Sequence, residues 1–263
     1  MPKILVFTPI HGRADLAAKT FASIEAHVPR PFVHLVMDDF SPPEDSKWLE
    51  GQTGTLGGGA KRSVVKAKNL GKGLTEAPNL GATLGFAWEQ ARNLSAEALL
   101  CVESDVLLRP DIVEAFREAQ ALHRGLAGAV APLFVRIGQN KVHSCGGMAV
   151  WKAGVEIGTD VTTINRPVPT IDTLLWTHLA CLWIPGYVLN RTDVFPDPAF
   201  RLCFLDHDIG NQIKKAGFEL IVTDRAIAEH DQSGPSRDLL YSTLDLKNQN
   251  EVEGSHQLQR KWK

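Results

Sequence analysis

The sequence predicts an α/β chain built on an open, mostly parallel sheet with helices on both faces. Two observations carry that prediction. Short apolar runs alternate with stretches of helical periodicity along the first half of the chain. The segments between successive apolar runs are long enough for the helical crossover that parallel strands require.

Residues 4–9, ILVFTP, are a short apolar run ending at Pro9 and read as a buried strand. From Gly12 to Val28 the positions Ala17, Phe21, Ile24 and Val28 recur at helical spacing, and Pro29 and Pro31 end that helix. VHLVM (33–37) is a second buried strand, stopping at Asp38-Asp39. Residues 51–62 are glycine-rich and read as a surface loop. They fail as a phosphate loop, which needs Gly-Lys before Ser or Thr, because Ala60 separates Gly59 from Lys61. SVVKA (63–67) reads as a short strand, and 80–93 as a helix with Leu80, Leu84, Trp88 and Ala91 on one face. ALLCV (98–102) is the next buried strand and ends at Glu103-Ser104-Asp105. Pro110-Asp111 opens a helix through Ile112, Phe116 and Ala119, and 125–135 contains a further strand.

The second half is less regular. GMAVW (147–151) is a strand candidate, and 180–186 and 187–190 read as strands around Gly186. Residues 208–217 read as a short helix with Asp208 as its N-cap and Gly217 just past its end. FELIVTD (218–224) is a last core strand. From about 236 the chain is a polar extension with a basic end, read as solvated.

Hydrophobic residues make up 44% of the 263 and charged residues 22%, a balance that supports a sizeable core. The net charge of −2 lacks the basic footprint of nucleic-acid recognition, so no such partner is expected. Cys101, Cys145, Cys181 and Cys203 have no paired metal spacing; three of them sit in apolar surroundings and read as buried thiols, fitting a cytoplasmic setting. No run approaches the roughly 18–20 apolar residues of a membrane span, and ILVFTPI is too short for a signal core. Membrane contact is therefore expected to be peripheral at most, at the inner face. His11, His34, His123, His143 and His178 lack ligand spacing and read as structural or exposed; Trp176 and Trp183 read as core.

The acids carry the chemistry. In open α/β sheets ligands bind beyond the carboxyl ends of parallel strands, so Asp38-Asp39 and Glu103-Ser104-Asp105 should face one crevice. Gathering carboxylates is costly unless a proton or a cation relieves the repulsion, and hard oxygen ligands suit Mg2+ or Mn2+. A strand-end acid can instead cap the helix that follows it.

Several segments, taken in order, resemble family-2 glycosyltransferases of the GT-A fold. They are VFTPIHGRADLAAKTFASI (6–24), VMDDFSPPED (36–45), Asn69-Leu70-Gly71 with Asn79-Leu80-Gly81, VESDVLLRPD (102–111), FLDHDIGNQIKKAGF (204–218) and IAEHDQSG (227–234). The resemblance implies a nucleotide-binding half over 1–135, an acceptor and catalytic half over 136–235, and an extension over 236–263. It implies that Thr8 and Pro9 line the base pocket, that Asp39 bonds the nucleobase edge with Asp38 close by, and that Glu103 contacts the ribose or a metal-bound water. It further implies that Asp105 and His230 hold the cation bridging the donor phosphates. Asp206 aligns with the family's catalytic base and Asp208 with the second acid of that motif, while Gly186 and Tyr187 match the acceptor-lining segment.

The implied activity is inverting, metal-dependent and non-processive transfer of a sugar from a nucleotide-diphosphate donor, a UDP-sugar, to a carbohydrate or glycolipid acceptor. Leu205 stands where many relatives have Glu, Glu103 where they have Asp, and the Gln-x-x-Arg-Trp signature of processive synthases is absent. A non-catalytic binding module on the same scaffold and a sugar nucleotidyltransferase remain as alternatives.

Overall fold

The computed structural model describes residues 3–70, 78–138, 142–144, 147–152, 155–160, 174–201, 203–231 and 244–262. Gly71, Cys145, residues 232–234 and the expected domain boundary at 235/236 lie outside the described residues.

The strands are β1 (Ile4–Ile10), β2 (Phe32–Asp38), β3 (Gly54–Gly57), β4 (Ala60–Lys66), β5 (Ala98–Val102), β6 (Val106–Leu108), β7 (Ala127–Arg136), β8 (Val142–Ser144), β9 (Gly147–Lys152), β10 (Val155–Asp160), β11 (Leu174–Trp176), β12 (Cys181–Pro185) and β13 (Glu219–His230). The helices are α1 (Ala14–His27), α2 (Pro43–Glu50), α3 (Leu80–Asn93), α4 (Ile112–Leu122), the single turn α5 (Gly186–Leu189), α6 (Leu205–Lys215) and α7 (Leu244–Trp262).

A ten-stranded sheet runs β3-β4-β2-β1-β5-β12-β7-β13-β6, with β8 beside β7; β10-β9-β11 form a small second sheet. Strands β4, β2, β1 and β5 are mutually parallel, as are β7 and β13. β12 is inserted antiparallel between β5 and β7, so the parallel order breaks at the centre.

One face of the sheet is closed by α3, whose Leu84 and Trp88 share a core with Leu5 and Phe7 of β1, and by α6, whose Leu205, Ile209 and Ile213 extend that core over β7 and β13. The other is closed by α4 and the end of α1, with Ile112, Phe116 and Ile24 against Val6, Leu100 and Trp183. Alternate residues of one strand serve opposite faces, which is why these strands are apolar throughout. Among the described residues no helix is long and apolar enough to cross a membrane. Cys101 and Cys181 are buried, whereas Cys203 is half-buried.

Several elements depart from the sequence expectation. Residues 51–62 are not a loop: β3 and β4 form an edge hairpin turned by Gly57, Gly58 and Gly59, all at positive φ. An edge strand needs little apolar content, which hid it. Helix α2, opened by Pro43 in its first turn, was not anticipated. Residues 187–190 form the helical turn α5 with Asn190 rather than a strand. Helix α6 starts at Leu205, and its N-cap is Phe204, at φ 65, not Asp208. β13 continues through the polar Thr223–Arg225 stretch because a register shift there absorbs it, and so delivers His230 to the sheet edge. Within the polar extension Leu244–Trp262 form the helix α7, whose Leu258 packs on the core.

Candidate active site

The parallel register of β1, β2 and β5 brings their carboxyl ends to one edge. Ile10 pairs with Asp38, and Phe7 with Cys101, so Asp39 and Glu103 leave the sheet on the same side. His11, next after β1, donates from Nδ1 to the Asp39 carbonyl oxygen at 2.6 Å. Asp38 is 4% exposed and works inward: its carboxylate accepts from the Ser41 amide at 3.0 Å and from Ser46 Oγ at 2.5 Å, fixing the turn into α2. Thr8 also faces inward, contributing no side-chain surface to the edge. Its Oγ1 lies 3.0 Å from His34 Nε2, and Arg62 Nε donates to His34 Nδ1 at 3.0 Å. His34 therefore carries its proton on Nε2 and donates to Thr8; burial, with Arg62 beside it, holds its pKa well below the ordinary value. Pro9 is half-buried and shares a small cavity with Leu80, Leu84, Glu103 and Leu179.

Asp39 accepts from the Asn79 amide at 3.1 Å and 3.4 Å through its two oxygens. Asn79 is also the N-cap of α3, with Oδ1 accepting from the Ala82 amide at 2.9 Å. Burial raises the Asp39 pKa from 3.8 to about 7; the Asn79 amide opposes the rise and Asp38 adds to it. Between those two values the folded chain holds a proton that the unfolded chain releases, so this group lowers stability as pH climbs from about 4 to about 7. Asp39→Asn keeps an acceptor for Asn79 and cannot ionise. Its melting temperature relative to wild type should therefore rise from pH 5 to about pH 7 and level off above it, by calorimetry. A difference constant over that range would contradict the shifted carboxyl.

Glu103, Asp105 and His230 come together from three places. Glu103 follows β5, Asp105 precedes β6, and His230 ends β13, where it pairs with Val106 and so stands next to Asp105. Their ligand-capable atoms lie within 4.8 Å of one another. His230 Nε2 is 3.5 Å from Asp105 Oδ1. That oxygen is buried and has no hydrogen-bond partner, which is costly for a carboxylate. Burial raises the Glu103 pKa to about 7, with Asp105 and then Asp206 adding repulsion and His230 opposing it. Two carboxylates, one carrying an orphaned oxygen, and an imidazole at this spacing fit a divalent cation of the Mg2+ or Mn2+ kind.

Asp206 stands in the first turn of α6, near enough to Glu103 to raise its pKa. Its Oδ1 accepts from both the backbone amide and the ring Nδ1 of His207, each at 2.9 Å. Burial works against its ionisation, yet His207, joined by His178, outweighs burial and holds the carboxyl below its ordinary range. The Trp176 ring stacks on His207 at 4.6 Å and meets His178 edge-on at 4.8 Å. Phe134 touches both His178 (5.6 Å) and His230 (5.8 Å), so an aromatic wall joins Asp206 to the Glu103–Asp105–His230 group. The sequence reading assigned Trp176 to the core and His178 to structure. Trp176 is buried as expected, at 6% exposed, yet it and His178 also stand at the site because β11 packs on α6, a contact that no local pattern announces.

The remaining expected residues lie elsewhere. Leu205 is 1% exposed and packed in the core, so that position points away from the crevice. Asp208 is fully buried and accepts from Gln212 Nε2 (2.7 Å), Lys261 Nζ (3.0 Å) and Trp262 Nε1 (2.9 Å). Gly186 and Tyr187 are at the opposite end of the sheet: Pro185 pairs with Ala98, the first residue of β5, whereas Glu103 follows its last. At about 3.3 Å per residue that separation is roughly 17 Å. Gly186 is needed there for backbone approach, since a Cβ would come 2.4 Å from the Ala96 carbonyl oxygen. The Tyr187 hydroxyl donates to the Ala127 carbonyl. The acceptor-lining expectation for this pair is therefore corrected to a packing role.

Sheet order, helix placement and an acidic carboxyl edge define an α/β protein of the GT-A fold. Among solved structures the chain is similar to "GalNAc-T7 with UDP, GalNAc and Mn2+", at TM-score 0.65 and 14% identity over 94% of this chain and 47% of that one. It is similar also to S. aureus TarS 1-349 in complex with UDP-GlcNAc, at TM-score 0.61 and 14% identity over 95% of this chain and 66% of that one. The likeness is one of fold, and this chain spans about half to two-thirds of their lengths. No protein-family model and no curated protein sequence matches it.

Proposed function

We propose that the chain is a glycosyltransferase that moves a sugar from a UDP-sugar to an acceptor hydroxyl with inversion. The observation that carries this reading is the meeting of Glu103, Asp105 and His230 within 4.8 Å beside the Asp206 carboxylate, at the sheet edge that also carries Asp39. The GT-A structures similar to it were solved with UDP and Mn2+ or with UDP-GlcNAc, which supports the same donor class here.

In this reading Asp39 takes the N–H of the uracil edge in place of the Asn79 amide it now accepts from. Pro9 and Leu80 flank the base from the cavity they share with Glu103. Asp105 and His230, with Glu103 alongside, are the residues that would hold Mn2+ or Mg2+. A cation bound there stabilises the charge that grows on the departing diphosphate. Asp206, kept ionised by His207, accepts the proton of the acceptor hydroxyl as that oxygen attacks. A single displacement with one such base inverts the anomeric carbon, unlike the paired carboxylates of hydrolases. Transfer is non-processive, to a carbohydrate or glycolipid acceptor of surface-glycan synthesis, and the setting is cytoplasmic, with peripheral contact at the inner membrane face. Residues 1–135 serve the nucleotide and 136–235 the acceptor and the base. Thr8 and Asp38 support this site from behind, because their polar atoms are engaged inward.

The test is UDP release from UDP-N-acetylglucosamine, UDP-N-acetylgalactosamine and UDP-glucose, with Mn2+ and with chelator. Cation-dependent release from at least one donor is expected. Saturable donor binding with no release against a broad acceptor panel would mean a binding module. Pyrophosphate release from a nucleoside triphosphate would mean a nucleotidyltransferase.

A further inference from the structure

Helix α7 terminates against the helix that carries Asp206. Its Trp262 Nε1 donates to Asp208 Oδ1 at 2.9 Å, and Lys261 Nζ reaches the same carboxylate at 3.0 Å. Gln212, one turn further along α6, donates to Asp208 at 2.7 Å and accepts from the Phe195 amide at 2.7 Å. Lys261 also donates to Asp197 at 2.9 Å, so one network ties α6, α7 and the 195–197 segment together. Further back, α7 lies directly on the residues before α6: a Cβ at Gly254 would come 2.8 Å from Phe204 Cδ2 and 3.2 Å from the Cys203 carbonyl oxygen. Phe204 is the left-handed N-cap of α6, and its ring lies 5.2 Å from that of His207.

Two positions apart on a helix are about 200° apart around its axis, so Asp206 and Asp208 face opposite ways from one turn. Asp206 faces Glu103 and His207; Asp208 faces α7. Every contact holding Asp208 therefore fixes the rotation and depth of the turn that presents Asp206. A buried carboxylate deprived of its donors is strained or drawn toward water, and a shift of about 1 Å at a reacting group can cost about a hundredfold in rate.

We propose that α7 is a positioning latch, in which Lys261 and Trp262, acting through Asp208, set the first turn of α6 so that Asp206 meets the acceptor hydroxyl. The inference rests on the reading of Asp206 as the base. Lys261 and Trp262 are positioning residues and touch no reactant.

The experiment compares Lys261→Met, Trp262→Phe and their double variant with wild type in the full chain. Hydrogen exchange at the amides of residues 208–210 should lose about tenfold or more of its protection, while the amides of β5 keep theirs. UDP release from UDP-N-acetylglucosamine with Mn2+ should fall about tenfold in kcat, with KM for the donor within about twofold, because the donor contacts are untouched. Lys261→Arg should recover most of the rate. Unchanged protection at 208–210 in the double variant would overturn the latch, as would an unchanged kcat. An equal loss of protection in β5 would also overturn it, marking α7 as a general stabiliser. Should Asp206→Asn retain full activity, the base assignment falls instead, and the exchange data alone would still report whether α7 holds the turn.

Discussion

Asp206→Asn should retain donor binding and lose transfer by at least about a hundredfold, the contribution expected of one well-placed general base. The substitution is close to isosteric. The amide oxygen still accepts from the His207 backbone amide, so the first turn of α6 keeps its geometry, and UDP binding in the presence of Mn2+ should change by less than about threefold. What is lost is the charge and the ability to take a proton. The wild-type carboxyl lies below its ordinary pKa range: burial opposes ionisation, but the hydrogen bond and charge of His207, with His178 behind them, prevail. Its ionised form is thus present across the neutral range, so an acid limb of the rate near pH 7 would report Glu103 or Asp39 and not the base. For a carboxyl depressed on folding, the linked stability is complete above its unfolded pKa and disappears as pH falls through the folded value. Asp206→Asn should therefore flatten the acid limb of the melting curve and lower the neutral plateau, because the stability linked to ionisation is gone. Retention of more than about a tenth of wild-type transfer would place the base elsewhere, with His207 next in line at 2.9 Å.

Much of this site was legible because the strands that carry it stop at charge. VHLVM ends at Asp38-Asp39 and ALLCV at Glu103, and parallel pairing then has no choice but to bring those ends together. His230 was reached through resemblance alone, since the apolar pattern of β13 is broken by Thr223–Arg225 and resumes only past the register shift. What stayed hidden depends on contacts between elements distant in sequence. Trp176 and His178 look like core and structure in their own segment, and become a wall of the crevice only where β11 meets α6. Asp208 is chemically identical to Asp206 on paper; the helical phase that separates them depends on where α6 begins, and an unrecognised left-handed Phe204 set that start. Gly186 and Tyr187 failed for a related reason. An apolar run does not reveal strand direction, and the antiparallel β12 carries its far end to the wrong edge. Helix α7 has no apolar stripe to announce it, because apart from Leu258 its closing contacts are hydrogen bonds from a lysine and a tryptophan to a buried acid.

Asp105→Ala should abolish the stabilisation that UDP and Mn2+ together confer, while leaving the unliganded chain at least as stable as wild type. The two halves of this prediction have one physical cause. Asp105 Oδ1 is buried without a hydrogen-bond partner, and its charge is, after burial, the main reason that the Glu103 pKa is pushed up to about 7. Removing it relieves repulsion on Glu103 at the cost of one long contact, the 3.5 Å approach of His230 Nε2, so the unliganded protein forfeits little; Glu103 should return toward the ordinary carboxyl range. Such a group is a liability to folding that a ligand must redeem. In wild type, ligand at about a hundred times its Kd adds about 2.7 kcal/mol, which for a chain of this size raises Tm by roughly 5–10 °C. In Asp105→Ala that increment should vanish for UDP with Mn2+, and the response to Mn2+ alone should vanish with it. His230→Ala should behave alike in the liganded arm, but it should lower unliganded stability, because it takes away the imidazole that opposes the upward shift of Glu103. Opposite signs without ligand and the same loss with it are the signature of a cation site, and a merely structural cluster cannot produce that pattern. An Asp105→Ala protein that keeps the wild-type shift with UDP and Mn2+ would remove these residues from donor binding.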